Sequence, residues 1–312
     1  LELGHEDDVK KATICGYNNE SKLSFNNPPV GKINVSVVLR DDTVFENITF
    51  DGNCVQAFIY CYGNNLTMGE DIKSSSIGEM SDYDKETYAI PAGYPAFTIL
   101  GGCHGKDTTL SVNDKVQKSE ILDPNKHINN ELKIRLISGD YGRVSGFGRG
   151  YEPTSPTSLE SLCPTLIVYG TTKIGTLAAG HLDSNATTGV NDDQSFKTAK
   201  VFVRSISDND GVKLSPHIVN LVGGNIGNNK ESTFIGDVEI SIFDGTIENI
   251  YGAGLGRTKG QIDDGEKAPQ TSMAGSVTIY LCGGEVTKDF YGGGAAAALS
   301  SAYATAINSS IN

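Results

Sequence analysis

Apolar and polar positions alternate in short bursts along this chain, and the bursts repeat. Val238-Glu-Ile240-Ser-Ile242 and Val277-Thr-Ile279-Tyr-Leu281 each place an apolar residue at every second position, the period of a half-buried β-strand. Each burst is followed by a glycine corner (Gly245; Gly283-Gly284) and a second short apolar pair (Ile247 and Ile250; Val286 and Phe290). A glycine-rich corner then closes each unit, Gly252-Ala-Gly254 and Gly292-Gly-Gly294. More worn copies run from Leu132 to Gly148 and from Leu166 to Gly180, with a half-copy from Ile218 to Gly227. In the first half, Val35–Leu39, Thr43–Phe50, Ala57–Tyr60 and Leu66–Met68 read as short strands.

A repeated strand–corner–strand–corner unit predicts a solenoid, in which each repeat stacks only on its neighbours. Polar stretches at 73–89, 106–130, 150–163, 182–198, 205–216 and 257–274 read as insertions at the corners. Regular repeats with long excursions predict an all-β chain, a single parallel β-helix over 33–312 capped by a segment over 1–32. Ala295–Leu299 suits either a short helix or a small-residue coil.

Composition adds three constraints. Glycine occurs 37 times in 312 residues, well above the usual share of roughly 7%. It has no Gly-X-Y period, so the repeat corners are its natural place. With 25 Lys and Arg against 38 Asp and Glu, the net charge is −13, which argues against general nucleic-acid binding. No apolar run approaches the roughly 18 residues of a membrane span. No secretory signal opens the chain, and Leu1-Glu2-Leu3 reads as a junction to an internal fragment. The six cysteines are scattered without a Cys-x-x-Cys, which disfavours a zinc ribbon or thioredoxin-type site. Buried free thiols are the simplest reading, and Cys54–Cys61 is the nearest local pair for a disulfide. Six Asn-x-Ser/Thr sequons do not by themselves show secretion.

The run Gly-Gly-Glu-Val-Thr-Lys-Asp-Phe-Tyr-Gly-Gly-Gly at 283–294, with Asp-Gly-Thr-Ile-Glu-Asn-Ile-Tyr-Gly-Ala-Gly at 244–254, resembles the repeats of bacterial cell-surface proteins. Those are right-handed parallel β-helices, a fold they share with pectate lyases and autotransporter adhesins. Phe45–Gly52 and Ile59–Gly69 are similar to the early coils of such proteins, and the resemblance covers about 33–300. It implies a monomeric domain of a larger surface protein, extracellular, cell-surface or secreted. Its implied partner is a host glycoprotein, immunoglobulin or glycan. Because the fold hosts lyases, hydrolases and adhesins alike, activity must be argued from residues.

Catalysis on a glycan needs paired acids. Asp192 and Asp193, in Asn191-Asp192-Asp193-Gln194, are the best pair. Pectin hydrolases of this fold follow such aspartates with Gly-His-Gly and Arg-x-Lys. Here Gly102-Cys103-His104-Gly105 precedes them and no Arg-Ile-Lys follows, so a solvated loop is the stronger reading. Arg149, His181 and Arg257 recur just after glycine corners, as a basic ladder facing an acidic glycan or as neutralisers of neighbouring acids. Asp208-Asn209-Asp210-Gly211 fails as a calcium loop, since the twelfth position is His217 and not Glu. Gly252–Gly256 opens no βαβ helix, so it is no dinucleotide fingerprint. His104, His127, His181 and His217 are far apart without ligand spacing, and no Gly-x-Ser-x-Gly elbow exists. No metal or cofactor is expected.

What remains is recognition by loop tips. Tyr83, Tyr88, Tyr151 and Phe196, with Arg149, His181 and Arg257 nearby in the pattern, have the residue types of a binding patch. The leading expectation is a non-catalytic binding or adhesion domain. The alternative is a polysaccharide lyase or glycoside hydrolase using Asp192, Asp193, Arg149 and Arg257 beside a groove, and a third reading is a structural spacer.

Overall fold

The computed structural model describes residues 2–3, 12–17, 21–25, 34–39, 41–54, 56–61, 63–77, 90–102, 110–112, 115–117, 131–148, 163–180, 182–184, 187–189, 191–192, 195–196, 198–227, 232–256, 271–294 and 297–299. Among them there is no helix, and two long parallel sheets organise the chain. Sheet A runs through Asn34–Leu39, Gln56–Tyr60, Phe97–Leu100, Asp140–Ser145, Lys173–Ala178, His217–Val222 and Thr246–Tyr251. Sheet B runs through Ala12–Cys15, Thr43–Glu46, Leu66–Met68, Glu131–Leu136, Cys163–Val168, Thr198–Val203, Asp237–Ile242 and Val277–Leu281. The chain alternates between the two, and each visit lays a strand parallel to the one left on the previous visit.

The repeat read from the sequence is a register. Val238 lies opposite Val277, Ile240 opposite Ile279 and Ile242 opposite Leu281 in sheet B. Ile247 meets Val286, and Ile250 meets Phe290, in sheet A. Thr287, Lys288 and Asp289 lie between those two pairings, so the last repeat is paired in two pieces.

Shorter parallel strands connect some of these visits, and they change sides along the chain. Lys22–Phe25, Thr49–Cys54 and Lys73–Ile77 form a sheet between a B strand and the next A strand. Thr187–Gly189, Ser232–Ile235, Thr271–Ala274 and Ala297–Leu299 form another between an A strand and the next B strand. Parts of the expected insertions 73–89, 182–198 and 257–274 are therefore strands. Their sequences, such as Lys-Ser-Ser-Ser-Ile, do not alternate, and backbone pairing with neighbouring strands holds them. The expected excursion 205–216 contains an antiparallel hairpin, Ile206–Ser207 on Lys213–Leu214.

One apolar core runs as a column along the two long sheets. Ile134, Leu166, Val201 and Ile240 follow one another up sheet B, and Tyr141, Ile174, Ile218 and Ile247 up sheet A, all fully buried. Each such side chain contributes roughly 1.5–3 kcal/mol on burial. Phe45, Phe50, Phe97 and Tyr141 continue the column as an aromatic run, with successive ring centroids 5.2, 5.1 and 5.6 Å apart. The Tyr141 hydroxyl donates to the Ser138 carbonyl at 2.8 Å, and burial, then the Asp140 charge, hold it protonated far up the scale. Cys61 belongs to this core as a free thiol, as the reading of buried free thiols expects, and the alternative Cys54–Cys61 bridge is not formed. Cys61 points inward after a fully buried strand, and burial pushes its thiol up. Cys15 and Cys282 are free and exposed.

The two kinds of corner need glycine for different reasons. Gly245 and Gly284, between B and A strands, have φ of 109° and 81°, a region open mainly to glycine. Gly223 and Gly252, which follow A strands, need closeness instead. A Cβ on Gly223 would overlap the carbonyl oxygen of Gly252, and one on Gly252 that of Gly292. The obstacle is backbone of the next circuit, which cannot swing aside as a side chain would. Gly223→Ala and Gly252→Ala should each cost about 2–4 kcal/mol, read as a fall in thermal midpoint. Thr278→Ala, on the outer side of sheet B, should change stability by under about 0.5 kcal/mol. Equal midpoints for all three would contradict the stacking account.

Candidate functional site

The two long sheets differ in what they leave exposed. Sheet A is covered on both sides over its earlier strands, where Gln56–Tyr60 and Phe97–Leu100 are buried at every residue, while its later strands, His217–Val222 and Thr246–Tyr251, are mostly half-buried on the outer side. Its outward Val38, Phe58, Tyr60, Leu100 and Val222 pack with Leu182 and Ile226. Thr198–Val203 in sheet B alternates strictly, buried on its inner side and half-exposed on its outer side. The outer side of sheet B is where side chains are available.

Register arranges that outer side in three rows. The first is Lys133, Thr165, Lys200, Glu239 and Thr278; the second is Arg135, Ile167, Phe202, Ser241 and Tyr280. The third, Ile137, Tyr169, Arg204, Phe243 and Cys282, is linked by backbone hydrogen bonds one strand after another. Neighbours in a row are one strand spacing apart, about 4.8 Å, so their side chains touch. Arg204 lies over the Tyr169 ring at 4.6 Å, a cation–π contact. Phe243 and Tyr280 are 49% and 44% exposed, large apolar rings left in water on a flat sheet.

The 206–214 hairpin is fastened beside this surface. Asp244 accepts hydrogen bonds from Ser205 Oγ at 2.8 Å and from the Gly245 amide at 2.8 Å, and it pairs with Lys213. Lys213 first, then Ser205, hold its carboxyl below the ordinary carboxylate range. Asp208, weighed as part of a calcium loop, instead accepts from the amides of Asp210 and Val212 at 3.0 and 2.7 Å. It shapes the turn in which Gly211 has φ of 78°.

A second polar cluster lies on the outer side of sheet A. Tyr94 Oη is 2.8 Å from His217 Nδ1, His217 Nε2 is 3.4 Å from Glu248, and Glu248 holds Lys288 at 2.6 Å. The carboxylate beside Nε2 assigns that nitrogen the proton, so Nδ1 accepts from the Tyr94 hydroxyl. Burial, then the charges of Glu248 and Asp140, push Tyr94 up to about 12, which keeps it a donor. Both ring nitrogens are engaged and the phenol is not activated, so the group lacks a poised base. It works as a fastening: Tyr94 belongs to a segment whose Ile90 and Pro95 lie over Gly142 and whose Pro91 and Tyr94 lie over Gly175. Next to it, Asn249 donates to Asn220 Oδ1 at 3.0 Å, and Asn220 to Thr176 Oγ1 at 3.2 Å.

Of the residues singled out from sequence, Tyr83, Tyr88, Arg149, Tyr151, His181, Asp193 and Arg257 lie outside the described residues. The backbone of Asp192 pairs antiparallel with Ser195; its side chain is outside them as well. Tyr169, Phe202, Arg204, Phe243 and Tyr280 were missed. The signal that could have found them is positional: Phe202 and Tyr280 occupy outward places of alternating strands, and Tyr169, Arg204 and Phe243 directly follow such strands, in rows that recur once per repeat. His217, Tyr94 and Glu248 carry no such signal, because Tyr94 comes from a corner segment. No protein family, curated protein or solved structure matches the chain.

A lowered carboxyl pKa stabilises the folded state above the unfolded value, about 3.9, and the benefit is lost as pH falls through the folded value. The thermal midpoint of the native chain should therefore exceed that of Asp244→Asn at neutral pH, with the gap closing below about pH 4. A gap that stays constant from neutral to acid would show that Asp244 does not hold the hairpin through its charge.

Proposed function

We propose that the chain is a right-handed parallel β-helix and acts as a non-catalytic binding domain of a bacterial cell-surface or secreted protein. Parallel returns to one sheet and the repeat register support the helix; right-handedness is the sense that strand twist favours for such crossovers. Its ligand is a host glycoprotein, immunoglobulin or glycan. The observation that carries the reading is the outer side of sheet B, where Tyr169, Arg204 and Phe243 stand in one row and Phe202 and Tyr280 in the next. Rigid aromatic rings and an arginine are the residue types that dominate recognition energetics, and a stacked sheet holds them without a large ordering cost.

The hydrolase or lyase alternative draws no support from Tyr94, His217 and Glu248, whose hydrogen bonds are satisfied among themselves. A glycan array and immobilised secretory glycoproteins, probed with the native chain, test the proposal. Binding should weaken about tenfold or more in Phe243→Ala/Tyr280→Ala, since buried interface aromatics are typically worth about 2 kcal/mol. Depolymerisation of any polysaccharide on the panel, or binding that ignores this double substitution, would overturn it.

A further inference from the structure

In its three rows, the outer side of sheet B carries more cations than acids in a protein that is acidic overall, and Asp237, one row further along the same strands, is held by Ser276. Lys133, Arg135, Lys200 and Arg204 all project from it, and Glu239 is the single acid in the three rows given above. The whole chain has 25 cations against 38 acids, so this excess is local. Arg135 and Lys200 have no ion pair or hydrogen-bonded side-chain partner among the described residues. Arg204 is set over Tyr169 and not against a carboxylate. Among the described residues away from this surface, Lys22 is paired with Asp51, Lys213 with Asp244 and Lys288 with Glu248.

We propose that this surface binds an anionic polysaccharide. Carboxylate or sulfate groups would sit on Arg135, Lys200 and Arg204, and the apolar faces of sugar rings on Phe202, Phe243 and Tyr280. The proposal rests on the reading of the chain as a binding domain and narrows its ligand. Arginine suits such anions because its planar fork meets two oxygens at once, and the Tyr169 ring orients the Arg204 fork beforehand. Arg135 and Lys200 stand two strands apart, about 10 Å, with Phe202 beside Lys200 on the same strand. Charges that far apart match a sparsely charged chain with apolar ring faces between its acids. A nucleic acid carries one charge per about 1.7 Å of duplex. Three separated cations would neutralise little of it, and a net charge of −13 would repel the remainder.

Isothermal titration of the full chain with chondroitin sulfate and polygalacturonate, against dextran and a single-stranded oligothymidylate, tests this. Both polyanions should bind, more weakly as salt rises, while dextran and the oligonucleotide do not. Arg135→Gln/Lys200→Gln/Arg204→Gln should weaken polyanion binding at least about tenfold, the effect of about 1.4 kcal/mol, with an unchanged thermal midpoint. Should that variant melt lower, the salt dependence of the native chain decides, and a flat dependence overturns the proposal. Dextran binding as well as the polyanions overturns the anionic requirement and leaves the binding-domain reading standing. Tighter binding of the oligothymidylate reassigns the surface to single-stranded nucleic acid. Failure of both polyanions overturns the inference alone if the glycoprotein and glycan screen still captures a ligand, and both readings together if it does not.

Discussion

The contact on which this molecule depends is the seating of each strand, in register, on the strand laid down one circuit earlier. Parallel hydrogen bonding fixes which residues face each other, and a slip of one residue would exchange the inner and outer sides of a whole strand. The apolar column penalises that exchange at many positions at once, since Ile134, Leu166, Val201 and Ile240 are all fully buried at equivalent places. Backbone closeness penalises it again at the corners. Gly223 and Gly252 let one circuit touch the next without a side chain between them.

The register that stacks the interior also organises the exterior. Outward residues of successive circuits become rows, and rows bring together residues that are far apart in the chain. Tyr169 and Arg204 meet in this way, as do Asn220 and Asn249, and Tyr251 stacks on Tyr291 with ring planes 6° apart. What separates the two sheets is cover. Segments around Leu182 and Ile226 close over part of sheet A, and the segment around Tyr94 over another part. Sheet B keeps an alternating strand pattern with one side toward water. The same rows therefore become internal fastenings on one sheet and a candidate recognition surface on the other.

Strands that alternate were legible from sequence because burial on one side imposes a period of two. The pairing of 238–242 with 277–281 was legible because the two copies are so alike. Other elements left less trace. Lys73–Ile77 and Thr271–Ala274 are polar strands whose place comes from neighbouring backbones. Cys61 looked available for a local disulfide, yet its position after a strand buried throughout sends the thiol into the core. The loop tips favoured from composition lie outside the described residues, whereas the aromatic and arginine side chains that the structure gathers come from strands.

By itself, the sequence determined an all-β chain of repeating strands, the alternation that sorts inner from outer residues, and the need for glycine at recurring corners. Those are local demands: a period, a permitted φ, an absent Cβ. The tertiary structure alone decided which outward residues become neighbours and which sheet is covered. It also decided where an excess of positive charge collects on an acidic protein. Such features arise from strands separated by a whole circuit, and their contacts exist only once the register between circuits is set.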